Sequence, residues 1–292
     1  MASRTNTTLL RATDLIFGYE PDKPVLYNLD LEVKDLIRPE KTTGQIICLL
    51  GASGSGKSTL LSLIAGHISP QYGEIAVLDN AENSELSATA PGKVGVVYQN
   101  YVLFEHLTVY KNLLLGARQG SSAFGIKEFV MQSLSRKARE ASEAHQQVVR
   151  MATDFGLEEH LDKYPAQLSG GQRQRVAIAQ QLLFRRRILI MDEPFSGLDH
   201  AAKTAAINSI TQAAHLHEYN TLIIITHDIE AAVRIADTIH ILGQNAGEDP
   251  GASIRFSIDL AERGISHEKA NHLLPAFVEV VREIEDFFEQ NA

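Results

Sequence analysis

Apolar and polar residues alternate along 8–17 and again along 25–33, the period of strands with one buried face. Between them, Glu20-Pro21-Asp22-Lys23-Pro24 supplies turn residues, so the two segments predict an antiparallel piece. At 44–50 the alternation gives way to a continuous run, Ile46-Ile47-Cys48-Leu49-Leu50, which suits a strand covered on both faces. A helix is expected from Lys57 to about Gly66, and further strands at 73–78 and 93–98. From Thr108 to about Gly156 the periodicity turns helical, with Ala- and Glu-rich stretches such as 137–149. After Gly170 the pattern reads helix (171–184), strand (188–191), helix (201–217), strand (221–226), helix (229–236) and strand (238–242).

That succession predicts an α/β fold with a doubly wound parallel sheet and right-handed crossovers, the helical block at about 100–185 being an inserted subdomain. Residues 243–271, rich in Gly, Asp, Ser and Ala, show no closing hairpin pattern. Further on, Phe277, Val281, Ile284 and Phe288 recur at helical spacing. That stripe most simply packs on the core; a partner-binding face is the other reading. The expected organisation is one domain over 1–242 and a C-terminal extension over 243–292 that ends in this amphipathic helix.

Chemistry enters between the buried strand and the first helix. Gly51-Ala52-Ser53-Gly54-Ser55-Gly56-Lys57-Ser58-Thr59 matches G-x-x-x-x-G-K-[ST] in the context that motif requires. The glycines let successive backbone N–H groups curl around phosphates without Cβ clashes. The helix N-terminus adds unpaired donors and the positive end of its dipole. Lys57 is expected to reach the β- and γ-phosphates and the Ser58 hydroxyl to ligate Mg²⁺. This loop implies a nucleoside triphosphate without saying which class of P-loop protein holds it.

Three further runs narrow the class. Leu168-Ser169-Gly170-Gly171-Gln172-Arg173-Gln174-Arg175 opens a second helix. Ile188-Leu189-Ile190-Met191-Asp192-Glu193-Pro194 ends a buried strand in two carboxylates, where ligands bind in open α/β sheets. Thr226-His227-Asp228 closes the strand at 221–226. In order and spacing these runs resemble the signature, Walker B and switch segments of ABC nucleotide-binding domains, and the resemblance covers about 9–242.

The resemblance implies a P-loop NTPase of RecA-like core, with an antiparallel β subdomain and an inserted α-helical subdomain. It implies that Asp192 holds Mg²⁺, that Glu193 is the general base for water, and that His227 contacts the γ-phosphate. Gln99 matches the family's Q-loop glutamine, a ligand of Mg²⁺ and water, and Tyr19 stands where an aromatic stacks on adenine. Ser196-Gly197-Leu198-Asp199 matches the D-loop. Each ATP is then expected between one subunit's P-loop and the Ser169, Gly170, Gly171 and Gln172 of a second ATP-binding subunit, in a homodimer.

Three departures stand out. The 35–43 connection is long, Glu105 stands where importers often have Pro, and Gln180-Gln181 replaces Arg-Ala. In similar cassettes of bacterial transporters, 104–113 lines the groove for a membrane permease subunit, and ordinary packing of the helical subdomain is the other use of that segment. An importer served by a solute-binding protein is the leading expectation. An exporter or lipid-handling transporter comes next, and then a soluble ABC ATPase of DNA repair or translation. A scaffold is less consistent with the presence of Lys57 and Glu193.

Composition adjusts this picture in three places. The 292 residues carry a net charge of −9, whereas a nucleic-acid binder needs a basic face, so no nucleic-acid partner is expected. The single cysteine, Cys48, lies in the apolar strand and reads as a core residue. The polar start, 1–10, does not read as a secretory signal, and no apolar run nears the roughly 20 residues of a membrane helix. The expected location is cytoplasmic, peripheral on the inner face of the cell membrane.

Overall fold

The computed structural model describes residues 7–35, 44–78, 85–119, 143–184, 186–216, 221–244, 251–260, 262–265 and 274–290. The chain forms two compact units, one of Met1–Gln99, Arg187–Leu198 and Ala214–Ala292, the other of Asn100–Arg186 and Asp199–Ala213.

The first unit holds every strand of a single ten-stranded sheet. In chain order these are β1 (Thr8–Phe17), β2 (Leu26–Lys34), β3 (Gln45–Gly51), β4 (Tyr72–Val77), β5 (Ser87–Ala88), β6 (Gly95–Val97), β7 (Ile188–Asp192), β8 (Thr221–Thr226), β9 (Thr238–Gln244) and β10 (Ala252–Asp259). Their spatial order is β5-β4-β1-β2-β10-β9-β3-β8-β7-β6. From β9 to β6 the pairs are parallel, and β3, β8 and the apolar part of β7 are buried throughout. Such strands need covering on both faces, hence their unbroken Ile and Leu runs. From β2 to β5 the pairs are antiparallel, with inward residues alternating with outward ones.

The expectation for 243–271 fails here. β10 pairs antiparallel with β9 over Ala252–Asp259 and reaches β2 through the Ala252↔Leu26 bridge, so it joins the parallel and antiparallel halves. Ala252, Ile254, Phe256 and Ile258 do alternate; interleaved Ser, Arg and Asp masked a strand with one polar face.

Two helices of the first unit matter to the site: α1 (Lys57–Ile64) follows β3, and a second (Ile229–Ile235) follows β8. The last helix (Pro275–Gln290) buries Phe277, Val280 and Ile284. It packs against the Ile229–Ile235 helix, and its Phe287 ring meets Phe256 of β10 edge-on at 5.0 Å. Phe277 and Ile284 of the expected stripe thus pack on the core together with Val280, whereas Val281 and Phe288 are half-buried.

The second unit is helical: α2 (Val109–Gln119), α3 (Glu143–Asp154), α4 (Gly170–Leu183), and α5 (His200–His215) as far as Ala213. The 120–142 part of the expected helical block lies outside the described residues, as does most of the long 35–43 connection. Gly116 of α2 lets α4 come close, for a Cβ there would stand 2.5 Å from the Gln180 carbonyl. The buried Gln180 side chain donates to the Asn112 carbonyl at 2.8 Å. The departure at Gln180 therefore has a packing role.

One buried group gives the first unit a pH-dependent stability. His240 on β9 lies 2.6 Å from the Ser257 hydroxyl across the β9–β10 hairpin, and burial pushes its imidazole down to about 4. Between the unfolded value near 6.5 and this one, the unfolded chain takes up a proton that the fold keeps off. The His240 contribution is therefore complete above about pH 6.5 and is lost as pH falls through 4. Urea titrations at pH 7 and 4.5 should show His240→Gln losing on the order of 2–3 kcal/mol less than wild type across that range. Equal losses would remove His240 from this role.

Candidate nucleotide site

The site in the first unit begins where β3 runs into α1. Gly51 ends the strand, and a Cβ there would collide with the Ser55 hydroxyl and lie 2.9 Å from the Leu242 carbonyl. Gly56 caps the helix with a φ of 90°, a left-handed conformation that glycine adopts without steric cost. Between them the loop turns on the bond from the Ser55 N–H to the Ala52 carbonyl, 3.2 Å. Lys57, 8% exposed, folds back to donate to the carbonyls of Gly51 (2.8 Å) and Ala52 (2.9 Å). Its ammonium is thereby held at the rim of the loop. Burial pushes it below its ordinary pKa, while the charges of Glu193 and Asp192 pull it back up.

The Ser55 hydroxyl and Asp192 Oδ1 are buried without a hydrogen-bond partner. Buried polar atoms are rarely left so, because each forfeits its hydration. Both lie on segments that the motifs assign to phosphate and metal. Burial raises the Asp192 carboxyl above its ordinary pKa, Glu193 adds to the rise, and Lys57 opposes it. A bound cation beside Asp192 would relieve both the unpaired oxygen and the desolvation. A hard, oxygen-seeking ion such as Mg²⁺ fits that donor. It needs only one or two protein oxygens besides phosphate and water, so the lack of any larger His/Cys/Asp/Glu cluster among the described residues is no obstacle.

Glu193 follows β7 in a left-handed conformation, φ 47°, and its N–H donates to the Ile225 carbonyl of β8 at 2.8 Å. This ties the residue to the neighbouring strand just where His227 leaves it. His227 Nδ1 lies 2.9 and 3.0 Å from the two Glu193 oxygens, and the Thr226 hydroxyl donates to one of them at 3.4 Å. Thr226 also accepts the Asp228 N–H at 3.1 Å, and Asp228 caps the following helix through the Ala231 N–H at 2.9 Å. The carboxylate that the resemblance makes a base is thus held by an imidazole and a hydroxyl anchored on the adjacent strand. Nothing in the sequence singled out Thr226 for this contact, although it stands directly before His227.

Tyr19 is 70% exposed, with its hydroxyl 3.3 Å from the Thr59 hydroxyl on α1 and its ring edge-on to Phe17 at 5.1 Å. The backbone just before it is fastened by Gln71, which accepts from the Gly18 N–H (3.1 Å) and donates to the Gly18 carbonyl (3.0 Å). No local signal marked Gln71, since its partner lies 53 positions away. Gln99 is exposed just beyond β6, next to Tyr98, whose hydroxyl lies 3.3 Å from His67 Nδ1. Ser53, Gly54 and Ser58 lie on the same loop or at the start of α1, and Gly54 has a φ of 82° with open space where a Cβ would stand.

The remaining expected residues belong to the second unit. Ser169 caps α4: its hydroxyl accepts the Gln172 N–H at 3.3 Å, and the Gln172 side chain accepts the Ser169 N–H at 2.9 Å. Gln172 Nε2 also lies 2.8 Å from His160 Nε2. A Cβ on Gly170 or Gly171 would meet nothing within 4 Å. Two glycines at a helix start cost stability relative to alanine, and no internal contact demands them here. Their open face suits something that approaches from outside. Asp199 caps α5 by accepting the Ala202 N–H at 2.8 Å.

On the same unit, Val102 (62%) and Phe104 (52%) are exposed. Leu103, between them in the apolar run 102–104, is buried. Asn112, fully buried on α2, holds the 104–108 loop: it accepts from the Phe104 N–H (3.0 Å) and donates to the carbonyls of Phe104, Leu107 and Thr108 (3.1–3.2 Å).

Comparison with known proteins gives this arrangement a family. A family model described as ABC transporter matches residues 39–196. A sulfate/thiosulfate import ATP-binding protein of Synechococcus elongatus is 38% identical over 210 residues, covering 72% of this chain and 55% of that protein. A thiamine import ATP-binding protein of Yersinia pestis is 39% identical over 193 residues, covering 66% and 73% respectively. The chain thus spans little more than half the length of the sulfate/thiosulfate relative. Among solved structures, cbiO1 from Clostridium perfringens, part of the ABC transporter complex cbiONQ, aligns with a TM-score of 0.67 at 22% identity. That alignment covers 96% of this chain and 99% of that one, a likeness of fold. The chain belongs to the ABC transporter family, and its fold is that of the family's P-loop ATPase domains.

Proposed function

We propose that this protein is the ATP-hydrolysing subunit of an ABC importer. The observation that carries the reading is the gathering at the C-terminal ends of β3, β7 and β8. There Lys57 lies over the P-loop carbonyls, Asp192 carries an unpaired buried oxygen, and Glu193 is held by His227. In this reading Gly51–Thr59 cradles the phosphates, Tyr19 stacks on adenine, and Ser58, Asp192 and Gln99 hold Mg²⁺. Bound there, Mg²⁺ would neutralise the negative charge of the phosphates. Glu193 accepts a proton from the attacking water, and His227, hydrogen-bonded to Glu193, keeps that carboxylate aimed and contacts the γ-phosphate. Release of phosphate from MgATP by the purified chain tests the reading.

A second copy of the chain completes each site in trans. Ser169, Gly170, Gly171 and Gln172, with Asp199 beside them in the family's order, would face the γ-phosphate held by the partner's P-loop. The open face at Gly170 and Gly171 agrees with this, since a group from outside has clear access to the backbone there. The relatives named import ATP-binding proteins support an importing role, with a separate permease subunit and a solute-binding protein as partners. Among the described residues no helix is long and apolar enough to cross a membrane, so the work at the inner face would be done through the permease.

The exposed Val102 and Phe104 are the docking surface in this reading, where a partner would cover apolar side chains now open to solvent. Phe104→Asp should abolish co-purification with the permease while leaving nucleotide binding and the melting temperature unchanged, because a carboxylate buried unpaired in that contact is costly. Assembly that survives the substitution would sink the docking assignment. Loss of assembly together with a lowered melting temperature would place Phe104 in the fold instead.

A further inference from the structure

Glu105, one of the departures from the importer pattern, lies next to the exposed Phe104 and forms an ion pair with Arg173. Arg173 stands in the first turn of α4, and its N–H donates to the Ser169 carbonyl at 2.9 Å. One side chain therefore joins the exposed loop to the turn that presents Ser169 and Gln172. The four bonds of Asn112 fasten Phe104, Leu107 and Thr108 to α2, on either side of Glu105 and His106. The pair is half-exposed on the Glu105 side, 56%, and such pairs add little to folding stability. The guanidinium meets Glu105 through Nη2, while its Nε is buried without a hydrogen-bond partner. A contact weak in stability and placed between two functional segments is suited to transmission.

We propose that the Glu105–Arg173 ion pair is the link through which a partner seated on Val102 and Phe104 sets the orientation of the signature turn at Ser169–Gln172. Glu105 and Arg173 are positioning residues, acting on ATP only through Ser169 and Gln172. The inference rests on the docking reading for its partner, whereas the link itself can be tested on the chain alone.

The experiment uses the full chain, first alone and then with its permease. In the isolated protein, Glu105→Gln should speed amide hydrogen exchange at Gln172 and Arg173 about two- to fivefold and leave Leu113–Ala117 unchanged. Unchanged exchange at Gln172 and Arg173 would overturn the link, whatever becomes of the permease. With the permease, Glu105→Arg and Arg173→Glu should each still assemble but lose most permease-stimulated ATP hydrolysis through kcat rather than KM. The double charge swap should restore at least half of it. Single variants that keep full stimulation, or a swap without rescue, would overturn the proposal. A Glu105→Arg chain that fails to assemble would also overturn it, since Glu105 would then be a direct docking contact. Failure of the wild-type chain to assemble would count against the docking reading alone, with the exchange result still deciding the link.

Discussion

Glu193→Gln should bind ATP with near wild-type affinity and hydrolyse it about 10²–10⁴-fold more slowly. The amide keeps the size of the carboxylate and can still accept a hydrogen bond, but it cannot take the proton of water. The left-handed backbone at Glu193 and its N–H bond to Ile225 are independent of the side chain, so the local fold should persist. With hydrolysis arrested, the ATP-bound dimer should accumulate and elute at twice the monomer mass in MgATP. Rapid turnover in this variant would remove Glu193 from the role of base. Replacing His227 tests a neighbouring point: if the imidazole aims the Glu193 carboxylate, its loss lowers kcat while Glu193 remains in place.

Lys57→Ala should weaken ATP binding itself. Hydrogen bonds to a charged group contribute about 1.5–3 kcal/mol, which converts to roughly 10–150-fold in affinity. Lys57 now bonds two loop carbonyls, so the swing of its ammonium toward phosphate exchanges those bonds for a charge-assisted one. Lys57→Arg should not rescue, because the planar guanidinium is larger and the pocket at the rim is nearly closed to solvent. A fluorescent-nucleotide titration reads the loss, and unchanged affinity would contradict the P-loop assignment.

The parts of this protein that were legible in its sequence are those whose chemistry is local. The P-loop, the Asp192-Glu193 pair and the Ser169–Gln172 cap each lie within a few residues, where a run of residue types dictates the backbone. The strands β3, β7 and β8 were equally plain, because burial on both faces demands uninterrupted apolar runs. What was not legible depends on partners far away in the chain. Gln71 fastens the backbone before Tyr19 from 53 positions off, and the reason for a buried glutamine at 180 is the Asn112 carbonyl on another helix. β10 is hard to assign from sequence because its outward positions are polar and the residues before it are rich in Gly and Asp. Its inward positions, Ala252, Ile254 and Ile258, become telling only once the sheet edge at β9 is known. Leu103 shows the same limit on a smaller scale, since an apolar run does not say which of its members points inward.

ATP is expected to be hydrolysed between the P-loop of one chain and the signature turn of another, and mixing two inactive variants reads out that shared site. Lys57→Ala has a damaged P-loop and an intact signature, whereas Ser169→Arg has an intact P-loop and a signature blocked by bulk and charge. Each alone should release phosphate from MgATP at close to the background rate. Mixed in equal amounts, half of the dimers contain both variants, and each of these has one site with both halves intact. The mixture should therefore recover about a quarter of the wild-type rate, as two-fold symmetry requires of independent composite sites. A mixture as inactive as its components, or a Ser169→Arg chain that hydrolyses ATP unaided, would contradict the shared site.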